Sequence, residues 1–133
     1  MIAYDANYTP PAPLIAVEIG GLVRSPRRRT LTALLDTGAD ITAIPEALVE
    51  LMHLYPTGRL QLESVDGRFT PAFTYTVQLK LADVLIPQME VVLTRLEYVV
   101  LGRDVLNRFY VQLDGPELAF ALATYRQKSI IQK

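Results

Sequence analysis

The sequence predicts an all-β domain, a small closed β-barrel or sandwich carrying one or two short helices. Three observations predict it. Short apolar segments recur at regular spacing, most of them alternating with polar residues. Gly, Pro and Asp-Gly signals separate them. Only two brief stretches show helical spacing. With 133 residues, half of them hydrophobic and a fifth charged, the chain has the composition of one globular domain rather than of a disordered segment.

Taken in order, residues 1–13 are rich in Pro and polar side chains and read as a mobile N-terminal arm. Ile15, Val17 and Ile19 alternate and predict a strand that ends at Gly20-Gly21. The stretch LVRSPRRRTLTALLD predicts a second and a third strand around a Pro-containing loop. Its arginines, Arg24, Arg27, Arg28 and Arg29, read as a solvated hairpin rather than a phosphate site, because no aromatic residue interleaves them. In IPEALVELMHLYP, Pro45 marks a helix start, Leu48, Leu51 and Met52 share helical spacing, and Pro56 ends the run.

LQLESV and FTYTVQLKL then alternate strongly. Leu60 and Leu62 are expected to share a face with Phe73, Tyr75, Val77, Leu79 and Leu81, and Asp66-Gly67 forms the tip of a long two-stranded ribbon. MEVVLT and YVVLG supply two more strands, RDVLNRF a short helical turn, and YVQLDGPELAFAL a closing hairpin through Asp114-Gly115. The domain proper is expected over residues 14–123, with 124–133 as a polar, basic C-terminal tail.

Charge and composition exclude several classes. A formal net charge of -1 gives no global field for nucleic acid or anionic membranes, so neither is expected as a partner. The chain has no cysteine, which excludes disulfide staples and thiolate zinc sites. His53, the only histidine, has no companion for a metal site and reads as structural or solvent-facing. The N-terminal stretch lacks the pattern of a secretory signal, and no apolar run approaches the ~20 residues that span a bilayer. A soluble, cytoplasmic protein is expected.

The stretch LLDTGADITAIP is the one that carries chemistry. A carboxylate at the end of an apolar strand is expensive unless something nearby uses it. Gly38 lets backbone N–H groups approach that carboxylate, and Ala39 leaves room for a ligand. ALLDTGADITAI together with YVVLGRDVLNRF some 60 residues later resembles the two signatures of the retropepsin-like, or retroviral-type, aspartic proteases. The likeness runs over roughly residues 14–123, with a hairpin between the motifs.

The resemblance implies a closed barrel of the acid-protease type with a flap hairpin. It implies that Asp36 is one half of a catalytic pair, and that Thr37 and Gly38 belong to the active-site loop and the dimer contact. The chain contains no second Asp-Thr-Gly or Asp-Ser-Gly and is too short for two lobes, so the pair requires a symmetric homodimer. Two carboxylates about 3 Å apart repel by roughly 5 kcal/mol at an effective dielectric near 20. Such a pair shares one proton near neutrality, the behaviour for which aspartic-protease dyads are the standard example. It needs no metal or other cofactor.

Ala39, Asp40, Leu34, Ile41, Ala43, Tyr98 and Val100 are implied as contacts for an extended peptide. Asp40 is also implied as the partner of Arg103, whose fork suits a carboxylate bidentately. Val65, Asp66, Gly67 and Arg68 form the implied flap tip, which is more charged and poorer in glycine than retroviral flaps. The activity implied is that of an aspartic endopeptidase on extended or unfolded polypeptide. An inactive dimerisation or peptide-binding module on the same fold is the alternative.

Overall fold

A computed structural model describes residues 1–22 and 25–124. Expectations that concern Val23, Arg24 and the tail from residue 125 lie outside the described residues. The chain runs through strands β1 (Ile2–Ala3), β2 (Leu14–Gly20), β3 (Arg28–Leu35) and β4 (Ala43–Pro45), helix α1 (Ala47–Leu51), and strands β5 (Pro56–Glu63), β6 (Phe69–Leu81), β7 (Val84–Thr94) and β8 (Val99–Leu101). Helix α2 (Arg103–Leu106) and strands β9 (Tyr110–Asp114) and β10 (Ala119–Ala123) complete it.

Six strands close a barrel in the order β2-β3-β8-β4-β7-β6, and β6 returns to β2 through Glu18↔Lys80, Ile19↔Leu79 and Gly20↔Gln78. Closure follows from side-chain parity: Val17, Ile19, Ala33, Leu35, Val77, Leu79, Leu81, Val91, Val99 and Leu101 all point into one core and are buried. The expected closed barrel is thus the observed one. No helix among the described residues is long and apolar enough to cross a membrane.

β6 is long enough to serve two structures. Its second half lies in the barrel between β2 and β7, while its first half pairs with β5 from Glu63↔Phe69 to Pro56↔Tyr75 and forms the expected ribbon. The faces of that ribbon differ from the expectation. Leu60 lies opposite Ala72, and Phe73 lies opposite Arg59, so Leu60 and Phe73 fall on different faces. The turn sets this: the Ser64 N–H donates to the Arg68 carbonyl at 2.8 Å, so three residues rather than two cross the tip, and one extra loop residue moves one strand's side chains to the other face relative to its partner. Phe73 stays exposed, with the Arg59 guanidinium 5.4 Å from its ring centre.

Two other boundaries moved. Pro45 ends β4, pairing with Thr94, and does not start the helix; α1 follows Glu46 and buries Leu48 and Met52 while Leu51 is exposed. β7 begins at Val84, earlier than MEVVLT suggests, because Ala82-Asp83 makes a tight turn without glycine, with Ala82 at φ 52°. Leu22, expected in a strand, lies in a bend. His53 is exposed, with Nε2 3.4 Å from Arg27 Nη2, and Arg28 faces Glu18 at 3.7 Å.

The N-terminal segment folds back on the domain. β1 pairs with β10 through Ile2↔Phe120 and Ala3↔Ala119, and β10 pairs with β9 to give a three-stranded side sheet. Asp5 and Ala12 exchange backbone hydrogen bonds of 2.7 and 3.2 Å, closing a loop that carries Tyr8. Phe120, fully buried, fastens this sheet to the barrel core. Phe120→Ala is therefore expected to lower stability by about 3–5 kcal/mol, the usual result of emptying a buried aromatic site, read as a fall in the urea midpoint.

Candidate active site

β3 delivers Asp36 to the end of the barrel. Its last residues, Ala33 and Leu35, are buried, and the Asp36 N–H donates to the Leu101 carbonyl at 3.0 Å, so the turn starts from a fixed point. The chain then turns tightly, with Ala39 N–H on the Asp36 carbonyl at 3.2 Å. The Gly38 N–H donates to Asp36 Oδ1 at 2.9 Å. A Cβ at Gly38 would stand 3.2 Å from that oxygen, which is why this approach favours glycine. Within one chain Asp36 is only half-buried, and Thr37 and Gly38 are exposed. The carboxylate sits at an open surface, not in a closed interior.

The second motif locks this turn from behind. Gly102 crosses the loop so closely that a Cβ there would lie 2.8 Å from the Ile41 carbonyl carbon and 3.0 Å from the Ala39 oxygen. The Arg103 N–H donates to the Ala39 carbonyl at 2.9 Å. The expected Arg103–Asp40 ion pair is present through Nη2 and Asp40 Oδ1. Its fork is divided, however: Nη1 donates to the Thr37 carbonyl at 2.6 Å, so the two arms hold two points of the loop and not one carboxylate bidentately. The Asp40 side chain is 85% exposed. Exposed ion pairs contribute only about 0–1 kcal/mol, so the Thr37 bond is the more telling half.

Two residues that the sequence reading did not single out complete the lock. Thr42 is fully buried. Its N–H donates to Asp104 Oδ2 at 3.0 Å, its hydroxyl donates to Asp104 Oδ1 at 2.7 Å, and the same hydroxyl oxygen accepts the Gly102 N–H at 3.1 Å. A threonine inside an otherwise apolar run, facing an aspartate directly after the arginine, was the available signal.

A cleft of about 760 Å³ opens beside this loop. One wall is Gly38, Ala39, Asp40 and Ile41 with Val92; the other is the β5–β6 ribbon, including Leu60, Leu62, Val65 and Phe69. Of the tip residues, Val65 lines the cleft and is fully exposed, so the tip presents an apolar side chain despite Asp66 and Arg68. Gly67 takes φ 83° in the turn, which favours glycine.

Leu34, Val100 and Ala43 are neighbours across β3, β8 and β4. They are half-buried on the face opposite to the core residues Leu35, Val99 and Leu101. Tyr98 lies further out on β8's side of this strip, where Tyr8 meets its ring edge-on at 5.8 Å. Those two line a separate depression with Thr32, Arg95, Leu96 and Glu97.

The fold and this loop geometry are those of a retropepsin-like acid-protease domain. The profile of the family described as "gag-polyprotein putative aspartyl protease" matches residues 27–108, well over half of the chain, and the chain belongs to that family. No curated protein sequence gives a significant match. Among solved structures, the simian foamy virus (mac) protease is similar with a TM-score of 0.54 and 23% identity, over 71% of this chain and 92% of that one. EIAV protease complexed with the inhibitor HBY-793 gives 0.53 and 25%, over 72% and 86%. The foamy viral protease-reverse transcriptase in complex with an RNA/DNA hybrid gives 0.53 and 22%, over 72% of this chain but 12% of that much longer one.

Two outcomes follow. Gly102→Ala forces a methyl group into the backbone of the Asp36 loop and is expected to lower stability by about 1–3 kcal/mol, measured by denaturant titration. At the ribbon tip, the Arg68 N–H and then the Ser64 hydroxyl hold the Asp66 carboxyl below its ordinary value of 3.8. A lowered folded-state value means this contribution is complete above the unfolded-state value and is lost as pH falls through the lower folded one. The Arg68 amide resonance should therefore titrate with a midpoint below 3.8.

Proposed function

We propose that the chain is an aspartic endopeptidase whose site is completed by a second copy of itself. The observation that carries this reading is the Asp36 carboxylate, fixed by the Gly38 N–H at an open surface beside a cleft large enough for an extended peptide. One chain supplies one such carboxylate, and the fold has no second Asp-Thr-Gly loop to face it. A two-fold axis beside Asp36 brings the pair together.

In the dimer the two carboxylates share a proton, since both cannot ionise at such separation. A water between them gives one proton to the ionised member as its oxygen attacks the peptide carbonyl carbon. The protonated member donates to the carbonyl oxygen. The tetrahedral intermediate then collapses: one of its hydroxyls returns a proton to the ionised member as the carbonyl re-forms, the C–N bond breaks, and the departing nitrogen takes up the proton held by the other member, which restores the singly protonated pair. Thr37, exposed beside the axis, ties one loop to the other.

Peptide lies extended in the cleft, bonded through its backbone as an added strand. Asp40 and Ala39 contact its main chain, and Ile41, Leu34, Ala43 and Val100 form an apolar wall for its side chains, with Tyr98 further out. The β5–β6 ribbon is the flap, with Val65 as the apolar end of its tip, and its closure excludes water from the reaction.

Asp36→Asn is expected to abolish cleavage of unfolded polypeptide between pH 4 and 7 while leaving sedimentation unchanged. Residual cleavage equal to the parent would remove Asp36 from the mechanism, and peptide capture without cleavage by the unaltered chain would instead favour a binding module. Specific activity should also fall on dilution as subunits part.

A further inference from the structure

We propose that Tyr8 is a specificity-determining residue: with Tyr98 it forms a recess that takes an aromatic side chain of the peptide, away from the bond that is cut. This rests on the peptide-cleaving reading above and adds a substrate preference to it. Tyr8 lies outside residues 27–108, the span matched by the family profile, so this wall of the recess comes from the chain's own N-terminal segment.

That segment is held as a preformed loop. At its base Asp5 and Ala12 exchange their backbone hydrogen bonds, and within it the Asn7 N–H donates to Asp5 Oδ1 at 2.9 Å. Both ends are tied to the domain: the Tyr4 N–H donates to the Leu118 carbonyl at 2.8 Å, and the Leu35 N–H donates to the Pro13 carbonyl at 3.1 Å. Tyr8, in the middle of the loop, is half-buried, and its ring meets that of Tyr98 edge-on at 5.8 Å. A side chain already placed loses little freedom when a ligand arrives.

The opposite wall is fixed as well. The Leu96 N–H donates to the Thr94 hydroxyl at 3.2 Å, which shapes the turn carrying Arg95, Leu96 and Glu97. These three, with Tyr8, Thr32 and Tyr98, line a recess of about 470 Å³. Two phenol rings favour a third ring, since aromatic pairs attract at centre distances of about 4.5–7 Å beyond what their buried area contributes. Arg95 and Glu97 are exposed and opposite in charge, so the rim carries no net charge, while Thr32 offers a hydroxyl to a polar tip such as that of tyrosine. The wall nearer Asp36 is aliphatic by contrast, made of Leu34, Ala43 and Val100.

Parity places the recess on the same side of the barrel as that wall. Thr32 and Leu34 are alternate residues of β3 and share its outward face, and Tyr98 and Val100 alternate in the same way beside them, with Ala33 paired to Val99 and Leu34 to Val100. Two strand residues span about 7 Å, which is also the spacing of alternate side chains on one side of an extended peptide. A peptide that sets one side chain on Leu34 and Val100 therefore reaches the recess with the side chain two residues away.

The test uses extended peptides with leucine on both sides of one bond and either tyrosine or alanine at the third residue on each side of it. The parent chain should prefer tyrosine at one of these positions by about threefold to tenfold in kcat/KM. Tyr8→Ala should bring that ratio close to one, and Tyr8→Phe, which keeps the ring, should preserve it. A ratio measured within one preparation does not depend on how much of a variant is folded. An unchanged ratio in Tyr8→Ala, or no preference in the parent, overturns the assignment while leaving the protease reading standing. The same peptides titrated against Asp36→Asn read binding without cleavage, and the preference should appear in Kd and vanish when Tyr8→Ala is added. If the parent binds with this Tyr8-dependent preference but cuts none of the peptides, the recess stands and the protease reading falls.

Discussion

The structure depends on one close backbone crossing. Gly102 lies against Ala39 and Ile41 so tightly that no side chain fits between them. The two residues after it reach across the same gap: Arg103 takes the Thr37 and Ala39 carbonyls and Asp40, and Asp104 takes both donors of Thr42. Three consecutive residues thus hold five positions, Thr37 and Ala39 through Thr42, of a loop some 60 residues earlier. The loop has little regular structure of its own, so its shape is set by this clamp. Asp36 is presented in a fixed direction only once β3 and β8 are paired and the barrel has closed.

This arrangement separates stability from chemistry. The clamp faces inward, with Thr42 and Gly102 buried, while Asp36, Thr37 and Gly38 face out. On the proposed reading, one chain therefore carries its own barrel core and half of a site. In the proposed mechanism this half-exposed carboxylate gains its special chemistry from a neighbour of the same charge, supplied by a second copy.

Much of this was legible in the sequence because side-chain parity and turn chemistry are local. Val17 and Ile19, Val77 through Leu81, and the Asp66-Gly67 and Asp114-Gly115 turns announced their strands and hairpins, and Asp36-Thr37-Gly38 with Gly102-Arg103 pointed to the loop and clamp of the candidate site. What was missed depends on register or on distant partners. The three-residue tip Val65–Gly67, one residue longer than an Asp66-Gly67 turn, put Leu60 and Phe73 on different faces. Ala82 made a turn that ordinary turn residues would have flagged. Pro45 closed a strand because its partner Thr94 was already in place. The pairing of β1 with β10 and the contact of Tyr8 with Tyr98 join segments about 90 or more residues apart, and no short-range pattern encodes such contacts.

The central claim is that one site takes one Asp36 from each of two chains. Its most direct measurement is activity in mixtures of the parent chain with Asp36→Asn at constant total protein, after subunits have exchanged. A shared pair predicts that activity falls as the square of the parent fraction, because mixed dimers carry a single carboxylate and are inactive. A linear fall would show that each chain works by itself and would contradict the account.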